Sequence, residues 1–380
     1  MNRAVLYSSV LTWTLAVAPA TAQTDEETNR DSFSVKTEAG SVKVETIADG
    51  LDHPWGMAVL PDGRLLITER SGTLRIVDKH GVVSDSVVGT PEVVAKGQGG
   101  MLDVALDPQF EENGLIYLSY AEPGDPGPST ALGRGRLEDD RLQNFEVIFS
   151  QHPKLDSRHH FGGRIVFAPD GNLFLTLGER FEFDPAQNLT DHMGTIVRIR
   201  PDGSVPEDNP FVDQDDALPE IWSYGHRNIQ AAAIHPETGE LWIGEMGPKH
   251  GDELNRPQAG KNYGWPEVSW GNHYDGEKIP DPPTQPQFED AVKQWTPGIA
   301  PSGMIFYSGD RFPEWKGSAL IGALGGKSLI RLVIEGDEVT HEERIPLSAR
   351  VRDVEQGPDG TIYLITDEDD GKLWRLSPQN

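Results

Sequence analysis

Polar and charged residues unusual for turns gather at five places in the chain: Gly97-Gln98-Gly99-Gly100, His159-His160-Phe161-Gly162-Gly163-Arg164, Gly225-His226-Arg227-Asn228, the run from Gly247 and Pro248 to Glu253, and Arg350-Val351-Arg352-Asp353. His160, Arg227, Arg350 and Arg352 combine a base with permanent cations in a chain that is otherwise strongly acidic. Such contrast fits an anionic ligand carrying several carboxylates or phosphates. Arg350 and Arg352 stand two residues apart, so a strand would point both side chains to one face and grip a multiply charged acid. The same spacing serves two surface arginines that pair with neighbouring acids.

The histidines do not read as a zinc site. His159 and His160 are adjacent and face opposite ways on a strand, and no HExxH or second H-x-H element accompanies them. A hard cation suits the chain better, because the Gly247-Pro248 carbonyls lie in a loop with Asp252, Glu253 and Asp275 nearby, and carbonyl plus carboxylate oxygen is calcium's ligand set. There is no EF-hand pattern. There is also no G-x-S-x-G elbow for a serine hydrolase and no G-x-G-x-x-G for a nicotinamide site. With no cysteine, disulfide scaffolds, thiolate metal sites and cysteine nucleophiles are excluded. A net charge of −28 argues against nucleic acid or an anionic membrane as partner.

Residues so far apart in sequence need a frame that brings them together. A phrase recurs along the chain, in which a turn built on Pro and an acidic residue precedes a short β-rich run: PDGRLLITER (61–70), DPQFEENGLIYLSY (107–120), APDGNLFLTLGE (168–179), HPETGELWIGEMG (235–247), FPEWKGSALIGAL (312–324) and GPDGTIYLITDE (357–368). The runs are too short for helices and rich in β-branched and aromatic residues, and Asp-Gly supplies the positive φ of a tight hairpin. Six copies at this spacing predict an all-β, six-bladed β-propeller of four-stranded antiparallel blades, with 41–51 closing the last blade. A two-sheet sandwich with coincidental Asp-Gly turns is the alternative. The longest segments separate the third, fourth and fifth copies, so the site is expected on the face they cover.

Residues 1–22 read as a secretory signal with Arg3 in its basic region and Ala20-Thr21-Ala22 as the cleavage site; an acidic segment, 23–40, and the propeller, 41–380, follow. The apolar stretch is too short to span a bilayer, and no other run approaches the ~20 residues a membrane helix needs. The expectation is an exported protein, periplasmic or secreted, with no membrane segment in its mature form, and monomeric.

Taken together, GLDHPWGMAVLPDG, GQGGMLDVALDPQF, HHFGGRIVF, EIWSYGHRNIQ, GDELN, KNYGWP and RVRDVEQGPDG resemble the soluble quinoprotein glucose/sorbosone dehydrogenases, most of all the aldose sugar dehydrogenases that use pyrroloquinoline quinone (PQQ). The resemblance covers residues 42–378 with the motifs in order, and it too implies a six-bladed propeller. It implies that His160 is the general base for the C1 hydroxyl of an aldose, with Glu179 as its acidic partner, while hydride passes from C1 to the quinone. Arg227 and Asn228 match residues beside the quinone oxygens, Gln98 a glutamine near the base, and Arg350 and Arg352 the pair on the PQQ carboxylates. The carbonyls of Gly247 and Pro248 match ligands of the calcium that polarises PQQ; Glu253 and the Tyr263 carbonyl match a second, structural calcium. Electrons would go on to a quinone or small redox carrier.

The chain departs from the family pattern where a cofactor-binding Lys or Arg usually follows G-A-L of the fifth repeat. Gly325 stands there, and Lys327 is placed to reach the same carboxylate if both lie on one strand face. Two other functions compete: a non-catalytic binding propeller and a calcium-dependent lactonase. Substrate choice is expected in the loops 119–135 and 266–300.

Overall fold

The structure is a computed structural model that describes Met1 and residues 30–379; the stretch read as an export signal lies outside the described residues. Among the described residues no helix is long and apolar enough to cross a membrane. The chain folds into a six-bladed β-propeller.

Each repeated phrase forms the first turn and second strand of one antiparallel blade. In the third blade the strands run Gly162–Phe167, Leu173–Leu177, Thr195–Ile199 and Ile221–Tyr224 from the channel outward. Its turn shows why Pro-Asp-Gly recurs: Asp170 accepts from the Asn172 amide at 2.9 Å, and Gly171 takes φ +84°, which a side chain disfavours. The first blade has three regular strands, Pro54–Val59, Leu65–Glu69 and Thr73–Val77. Its fourth position is taken by an irregular segment in which Val83 bridges Val77 and the amides of Ser84 and Val87 donate to the Ile76 and Leu74 carbonyls.

The sixth blade closes the ring from both ends of the chain. Gly40–Leu51 pairs antiparallel with Gly371–Gln379, from Ser41 against Gln379 to Leu51 against Gly371, as the sequence pattern of 41–51 predicts. Ser32–Thr37, within the acidic segment, then adds a fifth strand outside it. The apolar cores lie between neighbouring blades: Trp242, Trp295, Ile321 and Ile330 between the fourth and fifth, Tyr307, Trp315, Val354 and Leu364 between the fifth and sixth. Each such side chain contributes about 1.5–3 kcal/mol on burial.

The innermost strands pack against one another in a closed ring around the channel. Every one of them breaks register within its first few residues, at Pro54/Met57, Met101/Val104, Gly162/Ile165, Ile229/Ala231, Pro301/Met304 and Val351/Asp353. Such bulges turn side chains out of the regular alternation. Here they aim polar residues into the channel. Arg164 is the pin at its centre, donating to Asp103 and Asp353, both at 3.0 Å, and to the Gln230 carbonyl at 2.7 Å, with the Trp55 ring 4.3 Å away.

Candidate active site

At the end of the second strand the repeats place a buried acid. Glu69, Glu179, Glu245 and Asp367 occupy this position in the first, third, fourth and sixth blades, each at most 8% exposed. A carboxylate buried there must find a partner: Glu179 meets His160, Glu245 meets His226 and the Arg227 amide, and Asp367 meets Arg350 and Arg352.

His160 precedes the innermost strand of the third blade in a left-handed conformation, φ +50°. Its Nδ1 lies 2.5 Å from Glu179 Oε2, and its amide donates to Gln98 Oε1 at 2.8 Å. Arg180, fully buried, holds the loop from behind by donating to the carbonyls of His159, Ser157 and Pro128 at 2.7–2.9 Å and stacking on Phe161. Gly178 explains the tightness: a Cβ there would stand 2.0 Å from the His160 carbonyl oxygen. Burial pushes the imidazole pKa below its ordinary value, while Glu179 opposes that shift by its hydrogen bond and charge. A ring held neutral, fixed through Nδ1, with Nε2 left for chemistry, is the arrangement of a general base.

The Gly97–Gly100 loop that carries Gln98 is shaped by its glycines. Gly100 adopts φ +129°, and a Cβ on it would sit 2.0 Å from the Arg70 carbonyl oxygen. Gln98 lines a cavity of about 230 Å³ at the mouth of the channel together with Trp55, Arg70, Gln230, Gly325, Arg350, Arg352 and Asp367. Arg350 and Arg352 do converge, both donating to Asp367 Oδ2, at 2.7 and 2.8 Å. Strand alternation is not the cause, because Arg350 precedes the strand and the bulge falls at Arg352. Asp367 is driven down to about 2; burial alone would raise it, and the two guanidiniums prevail.

Arg227 and Asn228 lead into the fourth blade. The Arg227 amide donates to Glu245, its Nη1 to the Met246 and Gly247 carbonyls at 3.0 and 2.6 Å, and its Nε is buried without a partner. Its guanidinium lies 5.3 Å from the Trp265 ring centre, and Nη2 reaches the Tyr274 hydroxyl at 3.4 Å. Asn228 Oδ1 accepts from the Gly162 amide at 3.2 Å, and the Glu179 amide donates to the Arg227 carbonyl at 3.0 Å, which joins this group to the His160 pair. Phe181, its ring 5.3 Å from His160 and 42% exposed, rims the opening.

For a hard cation the donor sets differ. Among the described residues no cluster of three or more His, Asp or Glu side chains could hold a metal ion, so any site here needs carbonyl oxygens. Gly247 and Pro248 provide them, with Asp252 accepting from the Gly247 amide at 2.9 Å, although the Gly247 carbonyl already serves Arg227. Behind Arg227, Glu253 lies cross-strand from Glu245. Burial first, and then the Glu245 charge, pushes Glu253 up to about 8, and Asn255 Oδ1 beside it is buried without a partner. Tyr263 belongs to the same group, its ring stacked 4.8 Å from His226, whose Nδ1 meets Glu245 at 2.9 Å. Crowded, under-neutralised oxygens of this kind suit calcium.

The structure thus draws together His160, Glu179, Gln98, Arg227, Asn228, Arg350, Arg352, Gly247 and Pro248, with Glu253 and Tyr263 one layer behind. Lys327 is corrected. Residues 324–327 form a turn, not a strand, so strand-face alternation does not act; Lys327 is exposed with φ +46° and does not line the cavity. Arg70, Asp367, Glu245 and Trp55 were missed, and the signal for the two acids was present as the common end of LLITER, LTLGE, LWIGE and YLITD.

A family model described as glucose/sorbosone dehydrogenase matches residues 51–375. Aldose sugar dehydrogenase YliI of Escherichia coli K12 is 46% identical over 90% of this chain and 94% of its own. The crystal structure of the soluble aldose sugar dehydrogenase from Escherichia coli in its apo-form superposes with a TM-score of 0.85 at 45% identity, covering 89% of this chain and all of its own (100%). The PQQ-bound form of aldose sugar dehydrogenase from Streptomyces coelicolor does so with a TM-score of 0.74 at 29% identity, over 88% of this chain and 97% of its own. With its propeller, its buried histidine–carboxylate pair and this extent of match, the chain belongs to the glucose/sorbosone dehydrogenase family.

Proposed function

We propose that the protein is a PQQ- and calcium-dependent aldose dehydrogenase, exported to the periplasm or beyond and active as a monomer, that oxidises the C1 hydroxyl of a cyclic aldose to the aldonolactone. The observation that carries this reading is the buried His160–Glu179 pair, 2.5 Å apart, held through Gln98 beside a cavity lined by arginines. The cavity suits a polycarboxylate: its lining holds three arginines, Arg70, Arg350 and Arg352, against one acid, Asp367, and Arg352 Nε is a buried donor without a partner.

When bound, PQQ supplies the two-electron quinone that accepts the hydride leaving C1, before electrons pass to a quinone or small redox carrier. The rest falls to the chain. His160 Nε2 takes the hydroxyl proton as the C1–H bond breaks, and Glu179 stabilises the imidazolium that results. Arg227 offers its unpartnered Nε–H, and Asn228 its amide, to charge that develops in the transition state. Arg350, Arg352 and Gln98 would hold the cofactor; Gly247 and Pro248 would hold one calcium, and Glu253 with the Tyr263 carbonyl a second. Relatives named as aldose sugar dehydrogenase, one of them in a PQQ-bound form, support the cofactor and the substrate class.

Titration of calcium-loaded apoprotein with PQQ, followed by absorbance before and after addition of glucose, tests the reading. Stoichiometric binding followed by sugar-dependent reduction is the expected result, and absence of binding refutes it. Binding without reduction by any aldose would favour the non-catalytic propeller, whose support is that Arg350 and Arg352 already share Asp367 and that Lys327 lies outside the cavity.

A further inference from the structure

The charge arrangement of the cavity at the channel mouth singles out one residue. Arg350 and Arg352 both spend contacts on Asp367. Arg70, the remaining arginine of the lining, has no carboxylate within ion-pair distance among the described residues; its Nη2 and Nε donate to the neutral carbonyls of Gly97 and Gly99. A guanidinium has five donors in a planar fork, so these contacts leave others for a ligand. Arg70 is partly exposed, at the end of the second strand of the first blade, one residue beyond Glu69. It therefore sits at the same rim as the acids that organise the rest of the site.

Gly325 contributes to the same lining without a side chain, so that part of the wall carries no charge of its own. Its backbone is not left-handed, and a Cβ there would meet the Ile299 carbonyl oxygen at 3.2 Å, the Ile299 carbonyl carbon at 3.4 Å and the Ala300 Cβ at 3.5 Å. A side chain at 325 therefore needs no forbidden φ, but Ile299 must give by a few tenths of an ångström to admit it.

We propose that Arg70 is a cofactor-binding residue that grips a carboxylate of the acidic ligand and supplies the cation that position 325 lacks. This rests on the reading of the cavity as a PQQ site. Arg70 also ties ligand to base, because the carbonyls it holds flank Gln98, and Gln98 holds the His160 amide. A ligand drawn onto Arg70 thus bears on the loop that sets the base.

The test is the dissociation constant for PQQ of calcium-loaded apoprotein, read by quenching of tryptophan fluorescence at low and high salt, with the melting temperature measured alongside. Arg70→Gln is expected to weaken binding about 10- to 100-fold, the range of one charge-assisted hydrogen bond, and to flatten its salt dependence. Adding Gly325→Lys to Arg70→Gln is expected to restore most of the affinity. Wild-type affinity in Arg70→Gln overturns the proposal and leaves the PQQ reading standing. So does a loss of affinity that accompanies a lower melting temperature and that Gly325→Lys does not repair, since Arg70 would then be only a prop for the Gly97–Gly100 loop. Wild-type protein that binds no PQQ overturns both readings together.

Discussion

His160 works within opposing forces. Burial favours the neutral imidazole and Glu179 favours the charged one, and the net shift is downward. As the proposed base, His160 would therefore be free of its proton at a pH below the ordinary histidine value, and the acid limb of kcat/KM for sugar oxidation should fall below about 6.5. Glu179→Gln removes the group that opposes burial, so the limb should move to still lower pH. The maximal rate should fall by about 10²-fold or more, since nothing then stabilises the imidazolium; a pH–rate profile of the variant checks both. His160→Ala should cost at least about 10²–10⁴ in turnover yet leave PQQ affinity within error, as titration of the variant would read. Retained turnover would remove His160 as the base.

The elements matter through where they end. In the third blade Gly178 stands one residue before Glu179, on a backbone that tolerates any residue, yet a Cβ there would press 2.0 Å from the His160 carbonyl oxygen. Gly178→Ala should therefore push the base loop outward. The expected outcome is a turnover loss near 10²-fold with a destabilisation of about 1–3 kcal/mol, measured by single-turnover kinetics and denaturant unfolding. In the fourth blade the paired strands Leu241–Glu245 and Asp252–Asn255 bring Glu245 and Glu253 together. Adding calcium to chelator-treated apoprotein should raise its melting temperature, and Glu253→Gln should remove part of that gain; an equal gain in the variant would take Glu253 out of the cation site.

At the scale of the whole molecule, the strand added outside the closed ring should be separable from the proposed cofactor site. Ser32–Thr37 lies at the outer edge of the sixth blade, with Phe33 edge-on to Trp374 at 5.5 Å and Val35 in the core shared with the fifth blade. Glu38, next along, links to Arg331 at 3.2 Å and to His341 at 2.6 Å. Removing residues up to 39 should lower the melting temperature by about 5–10 °C while leaving PQQ affinity unchanged, because no residue of 30–39 lines the cavity at the channel mouth. Calorimetry beside the cofactor titration checks this. A large loss of affinity would mean that the outer rim and the mouth unfold as one unit.

Much of this was legible from residue order. Six recurrences of one turn-and-strand phrase determined the propeller, because a short β run bounded by Pro, Asp and Gly has few other ways to bury its faces, and the 41–51 strand closed the ring as its pattern implied. The family resemblance singled out His160, Glu179 and Gln98, and the structure brings them within hydrogen-bonding distance of one another through His160. Only the tertiary structure decided the charge arrangement at the channel mouth. That Asp367 is shared by two arginines, that Lys327 belongs to a turn outside the cavity and that Arg70 faces into it depend on bulges in the innermost strands and on contacts between blades. Strand periodicity describes alternation within one regular strand. It contains no term for a register break or for which blade ends converge on the channel, and both arise only when the ring closes.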